Sequence, residues 1–549
     1  DAEQSFFGGH IMAMITSKMY VEGVELNRMG QNLELARYPI HWHLVGDAGA
    51  GQYVRNAAIH DTYNRCVTVH GTNNLQVENN VTYNTVGHCF FMEDGMETGN
   101  EYISNLAIQT KCHTSLPCDP TNLAPFGASP DGLNFKTTGQ DFPEILIPSD
   151  NTASSFWITN PDNTYRDNVA AGSDSTGFWF AFPVHPTGAF EGSDDSQATW
   201  PRRTKPREFK GNVAHSNVDA FMGDRAPRAD GHFAVGGYIA LADPTDPDSP
   251  QVESVVEDFT AYKNRNSGIW ARGQLHLYKN LKMADNGIGF THATGGGSSL
   301  YTSRVVDSLF VGESGNIGNP SEPAELAYGR SLPQPAVADF PIRGYEFYDS
   351  HHELDGNTFI NYIDNDTRKT GAISYLLFTS FGMSSNNTVQ RSTFENAKPV
   401  YYPPIDNRWS NDDYGNAVYL SSVFNDRDGT ITGVPNSYII NNTGIDADDA
   451  CEARPTWNAV VCTGDIGRMN VGGGGGALGF GRGGAPTTFE IAPGGGRIRG
   501  TRPPSVPVVL SRNGNEFTAS GTTNVRAGTE YKVNTERESV NISLYEMDA

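Results

Sequence analysis

Five of the fourteen histidines fall within a short stretch: His41, His43, His60, His70 and His88. Strand alternation sorts them by face. In PIHWHL the apolar Ile40, Trp42 and Leu44 share one side, which leaves His41 and His43 together on the other. In RCVTVHG, Val67 and Val69 point inward, and Cys66, Thr68 and His70 point outward. In HCFFMED, Phe90 and Met92 point inward, and Cys89, Phe91 and Glu93 point outward, with Asp94 at the strand end. Aligning Val67–Val69 on Phe90–Met92 stacks His43, His70 and Glu93 on neighbouring strands, with His41 two positions away on the same face. Strands in one sheet lie about 4.8 Å apart, so these side chains can converge on one cation. Imidazoles with a carboxylate suit zinc or a similar transition metal. An exposed polar ladder without metal is the plainer reading of the same residues. His10, after Gly8 and Gly9, is a further candidate ligand from the preceding coil.

Two reactions on a glycan are open to such a cluster. Hydrolysis needs an acid and a base or nucleophile flanking the bond, commonly two carboxylates. Glu93 and Asp94 are adjacent and point in different directions, so a partner such as Asp61 or Asp47 has to approach from a turn. Elimination needs a uronate neutralised and a base near its α-proton, roles open to a metal, Arg65 and His88. For substrate contact, Trp200 in a polar loop is the exposed aromatic candidate, while Trp179 and Trp270 read as core. Arg202 and Arg203 open a basic run with Lys205, Arg207 and Lys210.

The elements that position these groups are short strands separated by Asn- or Gly-bearing turns. The alignment offset of 23 residues between Val67 and Phe90 equals one coil of a parallel β-helix. Hairpin signals of the Asn-Gly type do not regularly separate the strands, which argues against a sandwich or propeller. Gly in the triplets at 176–178, 267–269 and 286–288 is expected to supply left-handed corners, and stacked Asn side chains to bond between coils. The expected fold is therefore all-β, a right-handed parallel β-helix over 1–450. Insertions at 111–155, 185–210 and 243–250 are placed to wall a groove. A Cys-bounded segment and Gly-rich linker follow at 451–500, and a small β module at 501–549.

Composition narrows the function. The 549 residues carry 39 Lys+Arg against 63 Asp+Glu, a formal charge of −24. No basic tract offsets this acidic field, which argues against a nucleic-acid role. No apolar run is long enough for a transmembrane segment, and nothing in the pattern specifies an oligomer. Cys112 with Cys118 and Cys451 with Cys462 are locally spaced pairs that point to an oxidising compartment.

Four sequence words carry a family resemblance: GVELNRMGQ (23–31), ARYPIHWHLVGD (36–47), RCVTVHGTNN (65–74) and GHCFFMEDG (87–95), with GGH at 8–10 and CEARPTWNAVVC at 451–462. They resemble the cell-migration-inducing and hyaluronan-binding protein family, which includes the transmembrane cell-surface hyaluronidase and related G8-domain proteins. The resemblance implies a right-handed parallel β-helix lying downstream of a G8 module. It also implies an extracellular or secreted setting, calcium as the cation, and a polysaccharide partner such as hyaluronan or another glycosaminoglycan-like polymer. His41, His43, His70, His88, Glu93 and Asp94 lie in the resembling words. The acidic balance runs against a polyanionic substrate unless a local Arg- or metal-rich groove overrides it; the leading expectation from the resemblance is a metal-assisted hyaluronidase-like hydrolase. A polysaccharide lyase and a non-catalytic carbohydrate-binding β-helix stand beside it.

Overall fold

The computed structural model describes residues 2–112, 153–227, 233–234, 236–294, 301–316, 341–349, 351–366, 369–375, 384–403, 422–441 and 450–472, with shorter stretches between 509 and 546. Most of the expected insertion at 111–155 and the Gly-rich tract beyond 472 lie outside these residues.

Three strands make a coil. Val67–Thr72, Gln76–Glu78 and Val81–Val86 belong to three different sheets, and Phe90–Met92, Glu101–Ile103 and Leu106–Lys111 repeat them one coil later. Each strand pairs in parallel with its counterpart in the next coil, as in Val67 with Phe90, Val77 with Tyr102 and Thr82 with Ala107. The chain is a right-handed parallel β-helix, as the 23-residue offset predicts. It divides into two compact units, residues 1–290 with 313–338, and residues 291–312 with 339–549.

In the first unit the core is a stack of inward side chains on equivalent positions. Ile40, Val67, Phe90, Phe156, Phe178 and Phe221 are paired in succession along one sheet. The rings of Phe90, Phe156 and Phe178 lie nearly parallel at 4.8 and 4.5 Å. A second stack is polar. Asn80, Asn105, Asn168 and Asn212 are buried at one corner; the side-chain oxygens of Asn105, Asn168 and Asn212 each accept from the backbone and side-chain N–H groups of the Asn before it, and that of Asn80 accepts from the Ala57 amide. These bonds satisfy donors that a turn would otherwise bury unpaired.

The glycine expectation needs correction. Gly177 and Gly268 lie inside strands and do not have positive φ; a Cβ there would sit 2.6 Å from the Ala220 carbonyl oxygen and 2.5 Å from that of Gly289. They are needed for close approach of the backbone. The left-handed corners are taken by residues such as Asn79, Asn84, Asp167 and Asp258.

In the second unit Ile342–Phe347 pairs in parallel with Thr370–Tyr375, and His352–Asp355 with Thr388–Gln390. Antiparallel strands follow, from Ser422–Asp426 to Ala459–Cys462. Ile466–Gly472 pairs with Gly521–Arg526 and Asn541–Tyr545, which joins the stretch before the Gly-rich tract to the terminal strands.

Cys451 and Cys462 are bridged as their spacing suggests. Cys66 and Cys89 form a disulfide that local spacing does not suggest. It ties neighbouring coils immediately before the strands that lead to His70 and Glu93. Cys112 is also disulfide-bonded, and Cys118 lies outside the described residues.

Candidate metal centre

The strand Ile40–Gly46 presents His41 and His43, and Val67–Thr72 presents His70, paired with His43. Glu93 continues the next strand, its amide bonded to the Val69 carbonyl. Burial of Trp42 and Val69 on the inner side turns the histidines outward. The Nδ1 atoms of His43 and His70 are 3.0 Å apart, Glu93 Oε2 is 3.6 Å from His70 Nδ1, and His41 Nε2 is 4.0 Å from the same carboxylate oxygen. Among the described residues, the groups with metal-ligand spacing are His41, His43 and His70, and His70, Glu93 and Asp94.

The second nitrogen of two of these rings is already engaged. His41 Nδ1 lies 3.2 Å from the Ala36 carbonyl and donates to it, which leaves Nε2 as a lone pair buried in the cluster without a hydrogen bond. His70 Nε2 donates to Asp94 Oδ2 at 2.7 Å, which aims Nδ1 at His43 and Glu93. A carboxylate behind a ligating imidazole fixes its tautomer and orientation. Burial, then the neighbouring His70 and His43, lower the pKa of His41 to about 3. Burial and His70 lower that of His43 as well. Burial also works against charge on His70, but the Asp94 hydrogen bond and the charges of Glu93, Asp94 and Glu97 outweigh it and raise it to about 9. Two imidazoles are thus held neutral and ready to donate, while the carboxylates demand one positive charge. These residues fit a divalent cation.

The sign of the His70 shift gives a test on metal-free protein. A folded pKa of about 9 against 6.5 unfolded means that the folded state holds the proton more tightly. That contribution is fully present below about pH 6.5 and is lost as pH rises through about 9. In chelator, the melting temperature of the wild type should exceed that of His70→Gln most at pH 6, and the gap should shrink by pH 9.5. A gap independent of pH would contradict this account of His70.

The ligand face is mostly covered, whereas an outer-face site is expected to be open; His43 and Glu93 are half-buried. His41, His70 and Asp94 are 1%, 5% and 4% exposed. The insertion at 185–210 folds over His70 and Asp94. Thr187 and Ala189 donate their amides to the main-chain and side-chain oxygens of Asp94, and Phe190 meets the His70 ring edge-on at 6.2 Å. Beneath, the fully buried Glu97 accepts from the amides of Gly71, Asp94 and Gly95. Burial and then Asp94 raise its pKa to about 7, against the pull of His70 and the Gly71 amide. Glu97, Gly188 and Phe190 were not read from sequence, because none lies on an alternating strand.

Other predicted residues lie elsewhere. His10 is bonded to Arg37, and the register puts Met12 beside His41 and Met14 beside His43, so His10 is not part of the cluster. Buried His88 stacks on Phe91, packs tilted against Trp157 and bonds to Ser154. Buried Arg65 lies over Phe91 and donates to the Tyr38 hydroxyl. Asp61 is bonded to His60 and Asn84, and Asp47 to Asn73. Trp200 is half-buried between His185 and the Arg203 guanidinium. Arg202 donates to the Phe182 carbonyl, and burial lowers its pKa. Arg207 and Lys210 pair with Asp162 and Glu257, which neutralises part of the expected basic run. Trp179 and Trp270 are core residues, as expected. In the second unit His352 has a partner that the sequence reading missed: its Nδ1 lies 3.1 Å from His292 Nδ1, with Asp349 on its other nitrogen.

Residues 6–222, which contain every ligand of this cluster, match the CEMIP beta-helix family model. The chain belongs to the CEMIP β-helix family. The mouse cell migration-inducing and hyaluronan-binding protein is 34% identical over 510 residues, covering 85% of this chain and 36% of its own length. The human cell surface hyaluronidase CEMIP2 is 32% identical over 500 residues, covering 85% and 35%. Human fibrocystin-L is 38% identical over 288 residues, covering 51% of this chain and 6% of its own. This CEMIP β-helix therefore spans about a third of the length of the first two relatives. Its His, Glu and Asp cluster has the spacing of a metal-ligand set. No helix among the described residues is long and apolar enough to cross a membrane.

Proposed function

We propose that this chain is a secreted, polysaccharide-degrading β-helix that holds one divalent ion on His41, His43, His70 and Glu93 and acts as a hyaluronidase-like glycoside hydrolase. The convergence of three imidazoles and a carboxylate carries the reading, with His41 Nε2 and His70 Nδ1 turned toward one point by the hydrogen bonds on their other nitrogens. Two relatives support the substrate class, one called hyaluronan-binding and one a hyaluronidase. The disulfides suit an extracellular compartment. Three nitrogens and one carboxylate oxygen favour zinc or a similar transition metal over calcium, which takes oxygen ligands. When bound, such an ion acts as a Lewis acid on a sugar oxygen and offsets the charge of a uronate. That local charge answers the overall −24. In this scheme His41 and His43 bind as neutral rings, Asp94 holds the proton at His70 Nε2, and the insertion at 185–210 excludes water. Trp200 and Arg203 on that insertion are the proposed sugar contacts.

Elimination is the second reading, and one observation favours it. Glu97 accepts three amides, and Asp94 is taken by His70 and Ala189, so a free carboxylate pair is not presented beside Glu93. A lyase needs no such pair.

Product analysis separates the readings. Zinc-loaded protein incubated with hyaluronan, chondroitin and neutral polysaccharides is expected to release new reducing ends from hyaluronan. Reducing ends without ultraviolet absorbance identify hydrolysis, and absorbance from an unsaturated uronate identifies elimination. No product from any of the polymers would overturn the enzyme reading in favour of a binding module.

A further inference from the structure

The insertion at 185–210 is built as a self-bonded flap. Ser193 caps the short helix Asp194–Ala198, the Ser196 hydroxyl donates to the Pro186 carbonyl, and the His185 ring bonds to the carbonyls of Ser196 and Thr199 while packing tilted against Trp200. Its base is fixed where Arg202 donates to Phe182 and where Pro183 and Pro201 crowd Gly95. Its tip touches the ligand cluster through the turn Gly188–Phe190. There the Ala189 amide donates at 3.1 Å to Asp94 Oδ2, the oxygen that also holds His70. Gly188 has φ +60, and a Cβ on it would lie 2.0 Å from Asp94 Oδ1. Phe190 packs on Gly71, where a Cβ would lie 2.8 Å from its ring.

We propose that the Gly188–Phe190 turn is a latch, closed on Asp94 and His70, that controls how fast a divalent ion enters and leaves the cluster. The inference rests on the reading of that cluster as a metal centre. Its physical basis is access: His70 and Asp94, which the flap touches, are 5% and 4% exposed with the flap closed, while His43 and Glu93 are half-buried. Asp94 is the joint between flap and metal centre, a positioning residue that serves both through one carboxylate oxygen. Only glycine fits at position 188, because any side chain meets both the carboxylate and a left-handed backbone. The ion exchanges when the flap lifts and breaks the Ala189 bond to Asp94.

The test loads the full chain with zinc and follows its transfer to an excess of coloured chelator, for the wild type, Gly188→Ala and Phe190→Ala. A charged hydrogen bond of this kind contributes roughly 1.5–3 kcal/mol, so both variants should release zinc about tenfold faster or more. The amides of Thr187 and Ala189, followed by hydrogen exchange in the metal-free proteins, should lose protection in the variants while the melting temperature stays close to the wild type. Release rates within about twofold of the wild type in both variants would overturn the latch. If the wild type takes up no zinc, the metal-centre reading fails, and amide exchange alone judges the flap. Protection of Ala189 that is lost in Gly188→Ala then supports a closed flap, and an unprotected Ala189 in the wild type overturns it.

Discussion

Converting His43 and His70 together to alanine should take bound metal from one ion per chain to none, while the β-helix stays folded. The two Nδ1 atoms face each other at 3.0 Å, so the pair supplies half of the proposed ligand set. Their inward neighbours Trp42 and Val69 are fully buried and untouched by the change. His43 is only half-buried, and its loss from the fold is small. His70 costs more, because Asp94 loses a charged hydrogen bond of about 1.5–3 kcal/mol. Elemental analysis after dialysis, with a thermal melt of the same sample, checks both halves. An ion retained in full by the double variant would contradict the ligand assignment.

Glu97→Ala should damage both stability and metal binding, although Glu97 is not itself proposed to touch the ion. Its carboxylate accepts from Gly71, which follows His70, and from Asp94 and Gly95, which follow Glu93. Alanine strands three amides in a region without water access, each at about 1–3 kcal/mol. We expect a loss of about 3 kcal/mol or more in denaturant unfolding, with metal affinity falling because His70 and Asp94 both lose their backbone support. Glu97→Gln keeps one acceptor oxygen and should fall between. A loss below about 1 kcal/mol for the alanine variant would show that these amides find other partners.

The part of this site that sequence reveals is the part that obeys a period. Strand alternation puts His41, His43, His70 and Glu93 on one face, and the inward residues Val67 and Phe90 set the register that stacks them. The same register opposes Cys66 to Cys89, a pairing 23 residues apart that local spacing does not reveal. His10 illustrates the opposite error: proximity of a GGH word to the first strand is no substitute for register, which puts Met12 and Met14 in the ladder. Asp94, just past its strand, was legible as a carboxylate but not as the support for His70. Glu97, Gly188 and Phe190 were illegible because a turn and an insertion bring them in, and neither path repeats. Their contribution is also what turns an apparent surface ladder into a mostly covered centre.

Anomalous diffraction from crystals of the zinc-loaded chain, recorded at the zinc edge, tests the central claim most directly. The account predicts one strong peak bounded by His41 Nε2, His43 Nδ1, His70 Nδ1 and the Glu93 carboxylate, with Asp94 behind His70 and outside the coordination sphere. A peak elsewhere, or none at these four side chains, would contradict it.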